Sequence, residues 1–162
     1  MSHYDKFLKE LESTLVTDMA NILNIPRDYS LGSLMLLENR LNLIFEIERN
    51  PQLPTVLFIG FYLGEALVRN SKGASWKTDD CSDFYDICVE VPSKVDKNQK
   101  IALYPFTRAA KFLKNPQYSL VAVFKAVCTL QKMQKKELKN AVENKWIKNR
   151  DYQIKLSYKY KV

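Results

Sequence analysis

The sequence predicts an α+β fold, in which N-terminal helices pack on a small antiparallel sheet, a meander, followed by a further C-terminal helix and a terminal strand. Three patterns carry this prediction. Apolar residues recur every three or four positions in the first third of the chain, short aromatic and β-branched stretches separated by polar turns follow, and the last residues alternate strictly between apolar and polar. The length of 162 residues predicts one domain with its own core.

Two amphipathic helices are predicted at the N-terminal end. The first covers residues 2–23, where apolar residues recur at helical spacing, and Pro26 is expected to end it. Asp28 and Ser30 offer N-caps for a second helix through about Arg49. Both helices have one apolar face, which must be buried against other elements.

The segment Thr55–Trp76 is predicted to lie at the centre of the fold. Its apolar run is shorter than the roughly 20 residues of a membrane span and is interrupted by Glu65, so a buried core helix and no membrane contact are expected. Gly60 and Gly64 are expected where another element approaches closely. The alternative for this glycine pair is a dimerisation face of the kind found in membrane helices.

Glu65 and Arg69 are four residues apart, and we expect them to form an ion pair on one face of this helix. Gly73 is expected to form a left-handed C-terminal cap, after which a strand begins before Trp76. A buried Glu65 needs Arg69 or another donor to offset the lost hydration of its carboxylate. An unpartnered Glu65 lining a pocket would instead indicate an enzyme.

A three-stranded meander is predicted over residues 75–77, 84–91 and 100–104, with Pro105 ending the third strand. Two helices follow, the second with a continuation through KKELKNAVENKW, and the alternating last residues form a strand. The single domain 1–162 thus comprises a mainly helical half (1–73), the meander (74–104), a second helical part (105–150) and a basic terminal strand (151–162).

The net charge of +7 is localised at the C-terminal end. Residues 131–161 contain ten lysines and arginines against three acids, while the rest of the chain is balanced. Such a segment could contact an acidic partner protein or a nucleic acid, or could form an edge strand protected from aggregation. The residues predicted to contact a partner are Lys145, Trp146, Lys148, Arg150, Lys155, Lys159 and Lys161.

Most catalytic and cofactor motifs are missing from the sequence. His3 is the single histidine, and the four glycines form no phosphate-binding loop, so no cofactor is expected. Three cysteines and the absence of an apolar leader predict buried thiols in a cytoplasmic protein. The acidic cluster Asp79, Asp80, Asp83 and Asp86 is either a set of turn-forming residues or the metal site of an enzyme.

The stretches YLGEALVRNSKGASW and IALYPFTRAAKFLKN resemble a family of small bacterial domains of unknown function. The resemblance rests on an apolar helix with Gly-Glu, a Gly-x-x-Trp exit and a later Pro-Phe strand end. The matching positions are Gly64, Glu65, Gly73, Trp76, Pro105, Phe106 and Lys111. Domains of this kind are similar to the immunity and accessory proteins encoded beside bacterial toxins.

The resulting functional prediction is a non-enzymatic, cytoplasmic protein-binding domain, in particular an immunity protein that neutralises a toxin by direct binding. One alternative is a nucleic-acid-binding protein that uses the basic C-terminal segment. A second alternative is a metal-dependent enzyme at the Asp79–Asp86 cluster. The sequence leaves the oligomeric state and the identity of the partner open.

Overall fold

The computed structural model describes residues 2–45, 49, 52–134 and 136, together with the backbone of residues 152–156. The described elements confirm an α+β fold, with N-terminal helices, an antiparallel sheet and a C-terminal helix. In chain order they are α1 (His3–Leu11), a π-helical segment (Glu12–Val16), α2 (Thr17–Leu23), α3 (Leu31–Ile44), α4 (Leu53–Asn70), β1 (Ser75–Lys77), a 3₁₀ turn (Phe84–Asp86), β2 (Cys88–Pro92), β3 (Gln99–Leu103), α5 (Pro105–Lys114), α6 (Leu120–Lys132) and β4 (Tyr152–Leu156).

The first predicted helix is present and contains a π-helical segment in its middle. Its start is fixed by a capping box, in which Ser2 Oγ accepts from the Asp5 backbone N–H and the Asp5 carboxylate accepts from the Ser2 backbone N–H. Its end is set by Asn24, whose φ of 54° is left-handed. The predicted extent of this helix, residues 2–23, is therefore confirmed, and the residue that ends it is Asn24 rather than the expected Pro26.

Helix α4 forms the centre of the core. Most of its residues from Val56 to Leu67 are buried, and it packs against α1, α3, α5 and the first two strands. A Cβ atom at Gly60 would lie 2.3 Å from Phe106 Cδ1, and one at Gly64 would lie 2.0 Å from Trp76 Cη2. Both glycines therefore allow an aromatic ring to touch the helix backbone, as the close-approach interpretation predicted.

The sheet is an antiparallel meander in the order β1-β2-β3-β4. Trp76 is opposite Val89, and Val91 is opposite Ile101, which brings apolar residues of neighbouring strands together over α4 and α6. Strand β4 pairs with β3 and forms the predicted terminal strand over residues 152–156. The remainder of that predicted strand, and the predicted helical continuation KKELKNAVENKW apart from Lys136, lie outside the described residues.

The predicted strand 84–91 is wrong at its beginning, where Phe84–Asp86 forms a 3₁₀ turn instead. Asp83 accepts a 2.8 Å hydrogen bond from the Tyr85 backbone N–H, and Asp86 accepts in return from the Asp83 N–H at 3.4 Å. Such local bonds offer the backbone an alternative to a strand ladder, so the aromatic residues of this stretch do not enter the sheet.

Two predicted helix ends also differ from the structure. The second helix was expected to reach Arg49 but ends at Ile44, followed by a non-helical Phe45. Gly73 has the expected left-handed φ of 80°, but α4 is capped by Ser71, which is extended. Gly73 therefore serves the turn that leads into β1 rather than the helix cap itself.

A polar clamp joins α3 to α6, with Glu38 at its centre. One Glu38 oxygen accepts from Ser119 Oγ at 2.8 Å, and the other accepts from the Leu120 backbone N–H and, at 3.3 Å, from the Val121 backbone N–H. These backbone groups have no partner within the first turn of α6, so the carboxylate satisfies donors that the helix leaves open.

Candidate functional site

An aromatic cluster connects β1, α4 and α5. The Trp76 indole stacks with Phe61 at a centroid distance of 5.8 Å and an interplanar angle of 20°. It also stacks with Phe106 at 6.2 Å and 28°, and Phe84 meets the Phe106 ring edge-on at 5.8 Å. These contacts, together with the close approach of Gly64, fix the position of the indole.

Glu65 is held by donors on two sides. Trp76 Nε1 donates to Glu65 Oε2 at 2.9 Å, and Arg69 Nε donates to Glu65 Oε1 at 3.0 Å. The Glu65 side chain is 16% exposed, so these charge-assisted bonds offset part of its desolvation. The predicted ion pair between Glu65 and Arg69 is present, and the carboxylate is not the unpartnered acid that would indicate an enzyme.

Arg69 extends this network to the N-terminal helices. Its guanidinium lies 4.4 Å from the centre of the Tyr29 ring, and its Nη2 is 3.6 Å from Glu12 Oε1. The hydrogen bond to Glu65 raises the pKa of Arg69 above its ordinary value, and burial raises the pKa of Tyr29. Arg69 is therefore charged and Tyr29 neutral throughout the physiological range.

A groove of about 410 Å³ opens beside this network, between the N-terminal helical segment, α4 and β1. We call it the Trp76 groove. Its lining consists of Asp5, Leu8, Lys9, Glu12, Phe61, Glu65 and Trp76. Leu8 and Phe61 are buried and form an apolar floor, whereas the three carboxylates face a single lysine in the lining.

Asp5 is a second carboxylate of the Trp76 groove that is held on both oxygens. Its Oδ2 accepts from the Ser2 backbone N–H at 2.9 Å, and its Oδ1 accepts from Thr78 Oγ1 at 2.8 Å. These bonds, led by that from the Ser2 backbone, lower the pKa of Asp5 below its ordinary value. The carboxylate is therefore charged at neutral pH, and it ties α1 to the chain that leaves β1.

The structure brings several of the predicted motif residues together at this place. Gly64, Glu65, Arg69, Trp76 and Phe106 form one contiguous network. The other three motif residues lie elsewhere: Pro105 is the first residue of α5, a Cβ atom at Gly73 would lie 2.9 Å from Pro92 in a separate turn, and Lys111 Nζ lies 5.6 Å from the centre of the Tyr118 ring.

The part of the groove contributed by the first helix was not predicted. Asp5, Leu8, Lys9 and Glu12 occupy positions i, i+3, i+4 and i+7 of one helical face, a spacing that was visible in the sequence. Nothing in that spacing indicated which element the face would meet. The contact from Thr78 to Asp5, which joins residues 73 positions apart, is a tertiary feature.

The basic residues predicted to contact a partner cannot be placed in a site. Lys145, Trp146, Lys148, Arg150, Lys159 and Lys161 lie outside the described residues. Lys155 belongs to β4, where its backbone is opposite Lys100 of β3. The role of the basic segment therefore stays a prediction.

The acidic cluster lines a second, polar groove of about 620 Å³ next to β2 and β3, to which Asp79, Asp80 and Asp86 contribute. Asp83 and Asp86 accept bonds from their own turn, which favours the turn-forming interpretation. Within residues 2–45, 49, 52–134 and 136, no group of three or more His, Cys, Asp or Glu side chains could hold a metal ion.

The three cysteines are free thiols, of which only Cys88 is buried, so the expectation of three buried thiols is wrong for Cys81 and Cys128. Cys81 lies in the partly exposed acidic turn, where burial and nearby aspartates raise its pKa. A raised pKa leaves less thiolate and makes this thiol a poor nucleophile.

Comparison of the chain with protein-family models, with curated proteins and with solved structures gives no match. No helix in the described part of the chain has the length and apolar character required to cross a membrane.

Proposed function

We propose that this chain is a non-catalytic, cytoplasmic protein-binding domain and that the Trp76 groove is its recognition site. An immunity protein that blocks a bacterial toxin by occupying its surface is the particular form we favour. The observation that carries the proposal is an open, apolar-floored groove in which the carboxylates of Asp5 and Glu65 are already fixed by partners within the chain.

The hydrogen bonds of the groove carboxylates support binding rather than catalysis. Each oxygen of Glu65 accepts a bond, from Trp76 and from Arg69, and each oxygen of Asp5 accepts a bond as well. A general acid or base must exchange a proton with its substrate and is tuned for that purpose by its surroundings. Donors on both oxygens instead fix the direction of the carboxylate, and at Asp5 they also lower its pKa.

The dimensions and rigidity of the groove suit the side chain of a partner protein. Its volume of about 410 Å³ lies at the lower end of the roughly 300–1,000 Å³ typical of ligand pockets. The stacked rings of Phe61 and Trp76 and the buried Leu8 side chain hold its floor in place. A preformed surface loses little conformational entropy on binding, so more of the contact energy contributes to affinity.

Selection of random displayed peptides on the immobilised full-length chain tests the proposal. We expect enriched peptides to bind the unmodified protein and to lose affinity about tenfold, or 1.4 kcal/mol, when Lys9→Trp fills the groove entrance. Lys6→Trp is the matched control, since Lys6 is exposed on the same helix but does not line the groove. The affinity of the Lys6→Trp variant for the enriched peptides should equal that of the unmodified protein.

Two results would contradict the proposal. One is the absence of any enriched peptide. The other is enrichment of peptides whose affinity is the same for the Lys9→Trp and Lys6→Trp variants, since this would place protein binding on another surface. Circular dichroism melting curves of both variants establish that each is folded before binding is compared.

A further inference from the structure

We infer that the Trp76 groove accepts the side chain of a lysine or arginine from the protein partner. The inference rests on the proposed function, because it specifies the chemistry of the residue that enters the same groove. Two independent properties of the groove lining support the inference: its charge and its apolar floor.

The charge of the groove favours a cation. Three carboxylates line it, those of Asp5, Glu12 and Glu65, against the single ammonium group of Lys9. Arg69 lies beside the groove and offsets part of this charge through Glu65 and Glu12. A negative balance remains at the surface, and an approaching acidic side chain would meet like charge.

Glu12 supplies an acceptor that is open to a partner. Its Oε1 lies 3.4 Å from the hydroxyl of Tyr29, which donates to it, and 3.6 Å from Arg69 Nη2. Within the described part of the chain, Glu12 Oε2 accepts no hydrogen bond, and the side chain is 42% exposed. An ammonium or guanidinium group can therefore donate to Glu12 without displacing a contact within the chain.

The floor of the groove matches the remainder of a basic side chain. Lysine and arginine carry three or four methylene groups that pack on apolar surfaces while the charged end stays near water or a counter-ion. Leu8, Phe61 and Trp76 line the groove together with the carboxylates and offer such a surface. A leucine would use only the floor and would bury carboxylates without a counter-charge.

The chain already contains one example of this type of recognition next to the groove. Arg69 packs its guanidinium over the Tyr29 ring and pairs with Glu65 and Glu12. The groove walls contain the same two carboxylates, together with the aromatic rings of Phe61 and Trp76 in place of Tyr29.

Nuclear magnetic resonance of the full-length protein tests the inference. The probes are capped Gly-X-Gly tripeptides in which X is arginine, lysine, neutral citrulline or glutamate. The chain has two tryptophans, so a Trp146→Phe variant identifies the indole N–H signal of Trp76. We expect the arginine and lysine peptides to shift this signal and the amide signals of residues 8–12 in a saturable manner. Citrulline should bind at least threefold more weakly, and glutamate should have no effect.

The variant Glu12→Gln removes the charge of the open acceptor and keeps an oxygen for the Tyr29 hydroxyl. It should weaken arginine binding about threefold, towards the affinity of citrulline. The matched control is Glu10→Gln, which removes the same charge from an exposed position of the same helix outside the groove. Arginine binding to this control should be unchanged.

The outcomes separate this inference from the proposed function. Equal shifts with citrulline and arginine, or no shift with any peptide, would overturn the inference. If the displayed peptides that require an open groove contain no basic residue, the groove is a protein-binding site but the inference is wrong. If the basic tripeptides bind the groove while displayed peptides bind independently of it, the cation preference stands and the proposed function fails.

Discussion

Glu38 and Glu65 are two partly buried glutamates, and each connects a helix to another element. Glu38 receives donors from the side chain and the backbone of the first turn of α6, all of them more than 80 positions away in the chain. Glu65 shares its oxygens between Arg69 on its own helix and the indole N–H of Trp76. The first arrangement closes an interface, whereas the second forms the wall of an open groove.

The difference indicates how a carboxylate in this molecule serves structure or recognition. The donors that bind Glu38 belong to the first turn of α6. Loss of the acid would therefore leave backbone N–H groups without partners. At the Trp76 groove the nearby acid Glu12 retains acceptor capacity toward solvent. A carboxylate whose two oxygens both accept hydrogen bonds within the chain holds elements of the fold together. A carboxylate with an open oxygen beside an apolar floor can bind a partner.

The largest expected effect comes from breaking the Glu38 clamp. Glu38→Ala leaves the N–H groups of Leu120 and Val121 and the Ser119 hydroxyl without their acceptor. We expect a loss of about 3 kcal/mol in the free energy of unfolding, measured by urea denaturation. Glu10→Ala, an exposed control on α1, should change stability by less than about 0.5 kcal/mol. A loss at Glu38 no larger than that of the control would contradict the clamp.

A smaller loss of stability is expected from displacing Trp76, which lines the groove. Gly64→Ala would place a Cβ atom 2.0 Å from the indole, so the ring must move, at a cost of about 2 kcal/mol. Gly32→Ala is the matched control, because its Cβ atom would meet only Ser30 Oγ at 3.9 Å within α3. The free energy of unfolding of the Gly32→Ala variant should rise by up to about 1 kcal/mol.

Tryptophan fluorescence distinguishes the two glycine variants further. Gly64→Ala should change the emission of Trp76 in the folded protein, because the indole leaves its contacts with Phe61 and Glu65. Gly32→Ala should leave the emission unchanged. An unaltered spectrum and unaltered stability for Gly64→Ala would contradict the close contact between this glycine and the indole.

Sequence patterns predicted the elements of the fold better than the groove. Ser2 and the helical spacing that follows it predict the first helix, and Pro105 was expected to end the third strand, which ends at Leu103 just before α5 begins at Pro105. The strand expected to begin at residue 84 was wrong because the Asp83 side chain accepts a hydrogen bond from the backbone of its own turn. The β-propensity of the aromatic residues does not account for this competing turn.

The groove itself was only half predictable. The family resemblance singled out Gly64, Glu65 and Trp76 together. The spacing of Gly60 and Gly64 predicted a close approach, and the spacing of Glu65 and Arg69 predicted the ion pair. The face of α1 that completes the groove depends on how that helix docks on α4 and on the residue that follows β1. The bond between Asp5 and Thr78 records this docking, and it links positions that no local pattern connects.

The smallest expected effect concerns the charge of Asp5 at the groove. Its folded-state pKa is lowered by bonds from Ser2 and Thr78, so its contribution to stability is complete above the unfolded pKa, near 3.8. That contribution is lost as the pH falls through the lower, folded-state pKa. Asp5→Asn should therefore reduce the melting temperature slightly at neutral pH and should flatten its decline on acidification below about pH 4.

Asp18→Asn is the control for this titration, because Asp18 is an exposed acid on α2 outside the groove. Its melting temperature should follow that of the unmodified protein across the acidic range. If Asp5→Asn also follows the unmodified protein, the Asp5 charge contributes nothing to the docking of α1. The contrast with Glu38 would then be sharper, since the carboxylate of the clamp would contribute to stability and that of Asp5 at the groove would not.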